Sequence, residues 1–165
     1  EARLAKQEDD VIFVSQQGMS IRFPASDVAQ RQRAAGGVKA MVLRAKDRIV
    51  SMGVVGPDSR LLVISRKGYG KLTSLSAYRR QGRGGSGVKT FNITKKTGTV
   101  AAAEVIDDST EVYVVSEHAQ VLRTSLSEIR RTGRATQGVT IFKPAAGDAV
   151  ASIACVSDLN KIDIA

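Results

Sequence analysis

The residues with chemistry to offer are arginines and lysines set among glycines and alanines. Three segments carry them: Gln30-Arg31-Gln32-Arg33-Ala34-Ala35-Gly36-Gly37-Val38-Lys39, Arg79-Arg80-Gln81-Gly82-Arg83-Gly84-Gly85-Ser86-Gly87-Val88-Lys89, and Arg130-Arg131-Thr132-Gly133-Arg134-Ala135-Thr136-Gln137-Gly138-Val139. A guanidinium presents a planar fork to phosphate oxygens, and a small neighbour lets backbone N–H groups approach a bulky phosphodiester. The chemistry is anion binding. Overall charge agrees: 25 Lys and Arg against 16 Asp and Glu leave +9, which points to a polyanionic partner. One basic loop is ordinarily a solvated surface. Three at equivalent places form a curved stripe suited to one long polyanion.

Residues for covalent or metal chemistry are sparse. His118 is the single histidine and falls in a turn, with no partners in the sequence for a triad or metal site. Cys155 is the single cysteine, which excludes an internal disulfide and agrees with a reducing compartment. Its apolar surroundings, Ile153 to Val156, assign it to packing. Gly82 to Gly87 formally spells a dinucleotide fingerprint, with Asp107 or Asp108 about 20 residues on. That motif needs a strand before it and a helix after it; here a basic loop precedes and the β-like Val88 to Ile93 follows. A phosphate-loop reading fails as well, because Val88 stands before Lys89-Thr90. Asp107, Asp108 and Asp158 read as turn residues, and Tyr69, Tyr78 and Tyr113 as residues of the blade pattern. No catalytic residue, metal or cofactor is expected in this chain.

The elements that must place the basic loops come in repeats. Val11 to Val14, Leu61 to Ile64 and Val112 to Val115 recur at steps of 50 and 51 residues, each run followed by Ser15, Ser65 or Ser116. Gly37-Val38, Gly87-Val88 and Gly138-Val139 hold the same steps, as do Arg33, Arg83 and Arg134. The units span 9–58, 59–108 and 109–158, with 1–8 the end of a preceding unit or a linker and 159–165 a tail. In the first unit, turn residues 16–19 separate Val11-Ile12-Phe13-Val14 from Ile21-Arg22-Phe23, which reads as a hairpin. Further strands are expected around Val38 to Leu43 and from Ile49 to Val55, giving four strands per unit. Short helical turns are expected near Ala25 to Ala29, Leu75 to Tyr78 and Leu126 to Ile129, the last two capped by Ser74 and Ser125. Nothing has the sustained spacing of a long amphipathic helix, and no apolar run approaches the roughly 20 residues that a membrane-crossing helix needs. Four strands at this period match propeller blades. Three blades do not close a ring, and the start Glu1-Ala2-Arg3-Leu4 lacks both initiator Met and signal peptide, so the chain reads as part of a longer polypeptide.

The repeats resemble the C-terminal domain of the DNA gyrase A subunit, shared in part with topoisomerase IV. The residues that carry the resemblance are Ser15-Gln16-Gln17-Gly18-Met19-Ser20-Ile21-Arg22-Phe23-Pro24, Gly36-Gly37-Val38-Lys39, Leu75-Ser76-Ala77-Tyr78-Arg79 and Gln81 through Lys89. The resemblance implies an all-β fold, a six-bladed β-pinwheel in which neighbouring blades exchange strands and a basic outer face wraps duplex DNA. By register the units resemble the last three blades. The family's Gln-Arg-Arg-Gly-Gly-Lys-Gly box belongs to its first blade; Gln81 to Gly87 resembles it in degenerate form, with Gly82 and Ser86 at Arg and Lys positions. The implied partners are double-stranded DNA and the rest of the gyrase A subunit, together with the gyrase B subunit, in a bacterial cytoplasm at the nucleoid. ATP and Mg would be used elsewhere in that holoenzyme.

The expected DNA-binding residues are Arg22, Arg31, Arg33 and Lys39 in the first unit, Lys71, Arg79, Arg80, Arg83 and Lys89 in the second, and Arg123, Arg130, Arg131 and Arg134 in the third. No recognition helix or zinc finger is visible, and aromatics make up only 4% with no Trp, so backbone contact with a duplex is expected rather than base reading or base stacking. The alternatives are the topoisomerase IV domain and a propeller that serves as a protein-interaction scaffold. The three well-kept basic loops favour gyrase. Exposed blade edges would favour pairing with a second copy.

Overall fold

A computed structural model of the chain describes residues 1–157; the tail expected at 159–165 lies outside them. The described residues form eleven strands: β1 (Asp10–Ser15), β2 (Met19–Pro24), β3 (Ile49–Val55), β4 (Arg60–Ser65), β5 (Tyr69–Ser74), β6 (Val88–Lys89), β7 (Val100–Ile106), β8 (Glu111–Ser116), β9 (Val121–Ser125), β10 (Val139–Thr140) and β11 (Val150–Val156). They make three sheets, ordered β3-β1-β2-β6, β7-β4-β5-β10 and β11-β8-β9. All the strand pairings within them are antiparallel. No helix among the described residues is long and apolar enough to cross a membrane.

Each unit opens with a hairpin whose turn is closed by its own repeated residues. The hydroxyls of Ser15, Ser65 and Ser116 accept from the backbone N–H four residues on, at 3.3, 3.1 and 3.0 Å. The turn ends in a left-handed residue, Gly18 (φ 74°), Gly68 (φ 76°) and, in the third unit, Ala119 (φ 61°). After each hairpin a 3-10 turn follows: Ala25–Asp27, Leu75–Ala77 and Leu126–Glu128. Ser74 and Ser125 cap the second and third, accepting from Ser76 and Ser127 N–H, as their sequence positions predict.

The core lies between units. Leu61 and Val63 of β4 pack back towards Ile12 and Val14, whereas the alternating Leu62 and Ile64 face forward to Val112 and Val114. The middle unit is therefore buried on both faces: all of Leu61-Leu62-Val63-Ile64 are buried, whereas the equivalent runs of the outer units leave Phe13, Tyr113 and Val115 half-buried. Each of these side chains contributes about 1.5–3 kcal/mol by leaving water. A third cluster, Val11, Ile21, Phe23 and Met41, closes the outer face of the first unit, with the Phe13 and Phe23 rings stacked at 5.6 Å.

The third strand of each unit is where structure and sequence differ. β6 belongs by sequence to the second unit and pairs with β2 of the first; β10 belongs to the third and pairs with β5 of the second. These are the exchanged strands that the resemblance implies. The strand expected over Val38 to Leu43 does not form, because no earlier sheet among the described residues offers it an edge. That segment is held instead by Met41 in the core and by two backbone bonds, Val42 N–H to Gly85 O and Gly84 N–H to Ala40 O. At the other end the third sheet has three strands among the described residues, and β9 forms its edge with Val121 exposed. Four strands are found in the second and third units, as expected, and three in the first; because one strand of each later unit is lent to the unit before it, the sheets are two of four strands and one of three.

Candidate nucleic-acid interface

The second and third basic loops each lie along the outer strand of the preceding unit. In the second loop, Arg80 bridges in parallel to Arg22 and Gln81 N–H donates to Arg22 O at 2.7 Å. In the third, Arg131 bridges to Leu72, Leu72 N–H donates to Arg130 O and Thr132 N–H to Leu72 O. Both loops then enter their exchanged strands through a left-handed glycine, Gly87 (φ 71°) or Gly138 (φ 72°). A Cβ there would overlap the carbonyl oxygen of Ser20 or of Gly70, so glycine is required. Beyond it, Thr90 and Phe91 N–H both reach Gly18 O, and Ile141 and Phe142 N–H both reach Gly68 O.

The loops also touch one another. Arg83 of the second donates Nη1 to Lys39 O at 2.8 Å and Nε to Asp27 O at 3.1 Å, both in the first unit. Arg134 of the third repeats the contact, donating Nη1 to Lys89 O at 2.6 Å, and Thr136 O accepts from Asn92 N–H. The three basic segments are thus one hydrogen-bonded stripe along the outer edge of consecutive units.

Along that stripe Arg31, Arg33, Lys39, Arg79, Arg80, Arg83, Lys89, Arg130 and Arg131 are exposed, and Arg134 is half-buried. Arg123 on β9 is exposed and forms a two-pronged pair with Glu111, its Nε at 2.9 Å and Nη2 at 2.7 Å from the carboxylate. Arg22 is half-buried, paired with Asp10 at 2.7 Å and donating to Leu75 O at 2.8 Å. Asp10, almost fully buried, also holds Arg80 at 2.8 Å.

Lys71 is a correction. Its side chain is fully buried, and Nζ donates to the carbonyls of Gly133 and Arg134 from beneath the third loop, 5.9 Å from the centre of the Phe91 ring. Burial, with the Arg134 charge adding to it, lowers its pKa to about 8. It positions the third loop and presents nothing to solvent. The signal was in the repeat: Lys71 stands in register with Ile21 and Leu122, both apolar. Its neighbour Tyr78 is also buried, its hydroxyl 2.6 Å from Thr90 Oγ1, and desolvation raises its pKa.

Of the residues set aside for catalysis, His118 and Cys155 take the places expected of them, and Asp158 lies outside the described residues. His118 is exposed in its hairpin turn with Nδ1 4.0 Å from Asp148, and Cys155 is partly buried against the second core cluster, its thiol pushed up by burial and by Glu104. One basic residue of the rim escaped the sequence reading. Arg60 begins β4 and lines a surface recess of about 470 Å3 together with Asp58, Ser74, Arg131, Thr132 and Gly133.

Residues 9–56, 59–107 and 110–157 each match the family model for the DNA gyrase C-terminal domain, beta-propeller. The DNA gyrase A subunit of Mycolicibacterium smegmatis is 42% identical over 159 residues, which are 95% of this chain and 19% of that protein. Its counterpart in Kosmotoga olearia is 40% identical over 158 residues, 94% of this chain and 20% of that protein. The chain spans about a fifth of the length of these relatives. Among solved structures, a DNA gyrase A C-terminal domain superposes with a TM-score of 0.84 at 27% identity, over 92% of this chain and 52% of that one. A topoisomerase IV C-terminal domain shares the fold, with a TM-score of 0.87 at 23% identity over 94% of this chain and 49% of that one. With a blade-by-blade match along its units and relatives near 40% identity over almost its whole length, the chain belongs to the DNA gyrase C-terminal domain family.

Proposed function

We propose that this chain binds duplex DNA through its phosphate backbone, without reading sequence, and bends it along the stripe of basic loops. The observation that carries this reading is the contact between successive loops: Arg83 to Lys39 and Arg134 to Lys89 make three loops one surface. Blades of a propeller are arranged radially, so a duplex that follows the stripe across successive units curves. Bending 20–30 base pairs by 40–90° costs on the order of 1–6 kcal/mol, which further phosphate contacts offset. The contacting residues are Arg31, Arg33, Lys39, Arg79, Arg80, Arg83, Lys89, Arg130, Arg131 and Arg134, with Arg123 beyond them on β9.

In the longer protein implied by the relatives, units 9–58, 59–108 and 109–158 serve as part of the wrapping domain of the gyrase A subunit. There the bound duplex is presented to a cleavage core, and supercoiling draws on ATP and Mg held outside this chain. The protein partners are then the rest of the gyrase A subunit, together with the gyrase B subunit. The place of action is the bacterial nucleoid.

Gel shifts with two duplexes of unrelated sequence over a salt series test the reading. About six neutralised phosphates give a slope of log affinity against log salt near −5, the same for both duplexes. A flat salt response, or a strong preference for one duplex, contradicts it.

A further inference from the structure

One corner of the repeat is chemically different in the middle unit. In the first unit Asp10 sits between Arg22 at 2.7 Å and Arg80 at 2.8 Å. In the third, Glu111 occupies the position of Asp10 and pairs with Arg123 at 2.7 Å. The second unit places Arg60 where the other two have a carboxylate, and Leu72 where they have arginine. The backbone is unchanged: Arg60 opposes Ser74 as Asp10 opposes Pro24, and Leu72 bridges Arg131 as Arg22 bridges Arg80.

Arg60 and Arg131 therefore line one recess without the carboxylate that Asp10 supplies at the equivalent place in the first unit. Neither Arg60 nor Arg131 has a side-chain hydrogen bond or ion pair with the described residues. Thr132 and Gly133 complete the floor, and the Lys71 ammonium lies behind it, bonded to Gly133 O at 2.7 Å. Asp58 at the same recess offsets one of the positive charges and leaves the site cationic.

The geometry points to a phosphate-group site here, an external oxyanion standing between Arg60 and Arg131 in the role that Asp10 fills in the first unit. Phosphate oxygens offer the fork acceptors that guanidinium groups match. The oxyanion is a backbone phosphate of nucleic acid or a free phosphate; the first of these rests on the duplex-binding function proposed above. On the duplex, the site gives the middle unit an anchor that ties β4 to the third loop.

The variant R60D restores the first unit's arrangement by giving Arg131 an internal carboxylate; R44D is a control of equal charge change at an exposed turn elsewhere, and R131Q is a second, neutral variant. Thermal unfolding establishes that each is folded. Phosphorus NMR with inorganic phosphate at fixed ionic strength should show saturable broadening with the unaltered chain and R44D, and none with R60D or R131Q. Affinity for a 30-base-pair duplex should fall about tenfold further in R60D than in R44D, the effect of one charge-assisted contact. Loss of phosphate binding with equal duplex affinities assigns the site to free phosphate, and a duplex effect alone assigns it to nucleic acid. Phosphate binding by a chain that binds no duplex keeps the site while removing the proposed function. Equal behaviour of R60D and R44D in both assays overturns the site.

Discussion

Two junctions of this molecule are filled and two of its ends carry the same parts unmatched. Between the first and second units, and again between the second and third, a short strand from the later unit lies on the outer strand of the earlier one. At the ends, the segment from Gly37 to Leu43 has the sequence of a donor without an acceptor, and β9 has the position of an acceptor without a donor among the described residues. The contrast shows that the exchanged strand is made by its acceptor. Val38-Lys39 and Val88-Lys89 are the same dipeptide, yet only the second pairs as a strand.

The sharpest way to break this comparison is a methyl group at equivalent glycines. G138A puts a Cβ against Gly70 O in a left-handed conformation and should destabilise the fold by about 3 kcal/mol, whereas G37A, with open space around it, should change stability by less than about 0.5 kcal/mol. Chemical denaturation of the two variants decides it, and equal losses would end the claim that the junction is what demands glycine.

The next effect concerns the lysine under the third loop. Its folded pKa of about 8 lies below its ordinary 10.5, so between those values the unfolded chain binds more protons and stability rises with pH. Lys71 by itself should add roughly 2 kcal/mol from pH 8 to 10, opposed from about pH 9 upward by Cys155, whose thiol is pushed up by burial and so ionises first in the unfolded chain. Above pH 10 Tyr78, whose pKa is raised, reverses the trend by ionising first in the unfolded chain. In K71M the contribution of Lys71 should be lost and stability should instead fall between pH 8 and 10 as the Cys155 thiol ionises first in the unfolded chain, as followed by urea midpoints at each pH.

Smaller still is the contrast between equivalent arginines. R134A removes a donor to Lys89 O across a filled junction and should cost about 1 kcal/mol, while R33A, facing no earlier unit, should be neutral in thermal unfolding. The smallest change is a gain. Ala119 holds a left-handed conformation where Gly18 and Gly68 stand in the other units, so A119G should stabilise by about 0.5 kcal/mol in the same assay.

The hairpins were legible in sequence because apolar runs and turn residues fix them locally, and the three 3-10 turns because Ser74 and Ser125 mark two of their starts. The basic stripe was legible for a different reason: repetition places loops at equivalent sites without any knowledge of what they touch. Lys71 was misread because its charge was weighed without its register against Ile21 and Leu122. Arg60 was passed over because it lies on a strand, and its meaning depends on Asp10 and Arg80 meeting 50 residues earlier in the repeat. The exchanged strands carry too few residues to announce themselves, and their pairing partner lies in another unit.

The most direct test of the central claim removes one arginine from each loop, choosing R31A, R79A and R130A, whose side chains bond to no other described residue, and follows duplex affinity against salt as the three are combined. The continuous stripe predicts that each step weakens binding to all duplexes alike and that the slope falls in magnitude by about 0.9 per loop. A slope that changes with only one of the three, or with none, would contradict it.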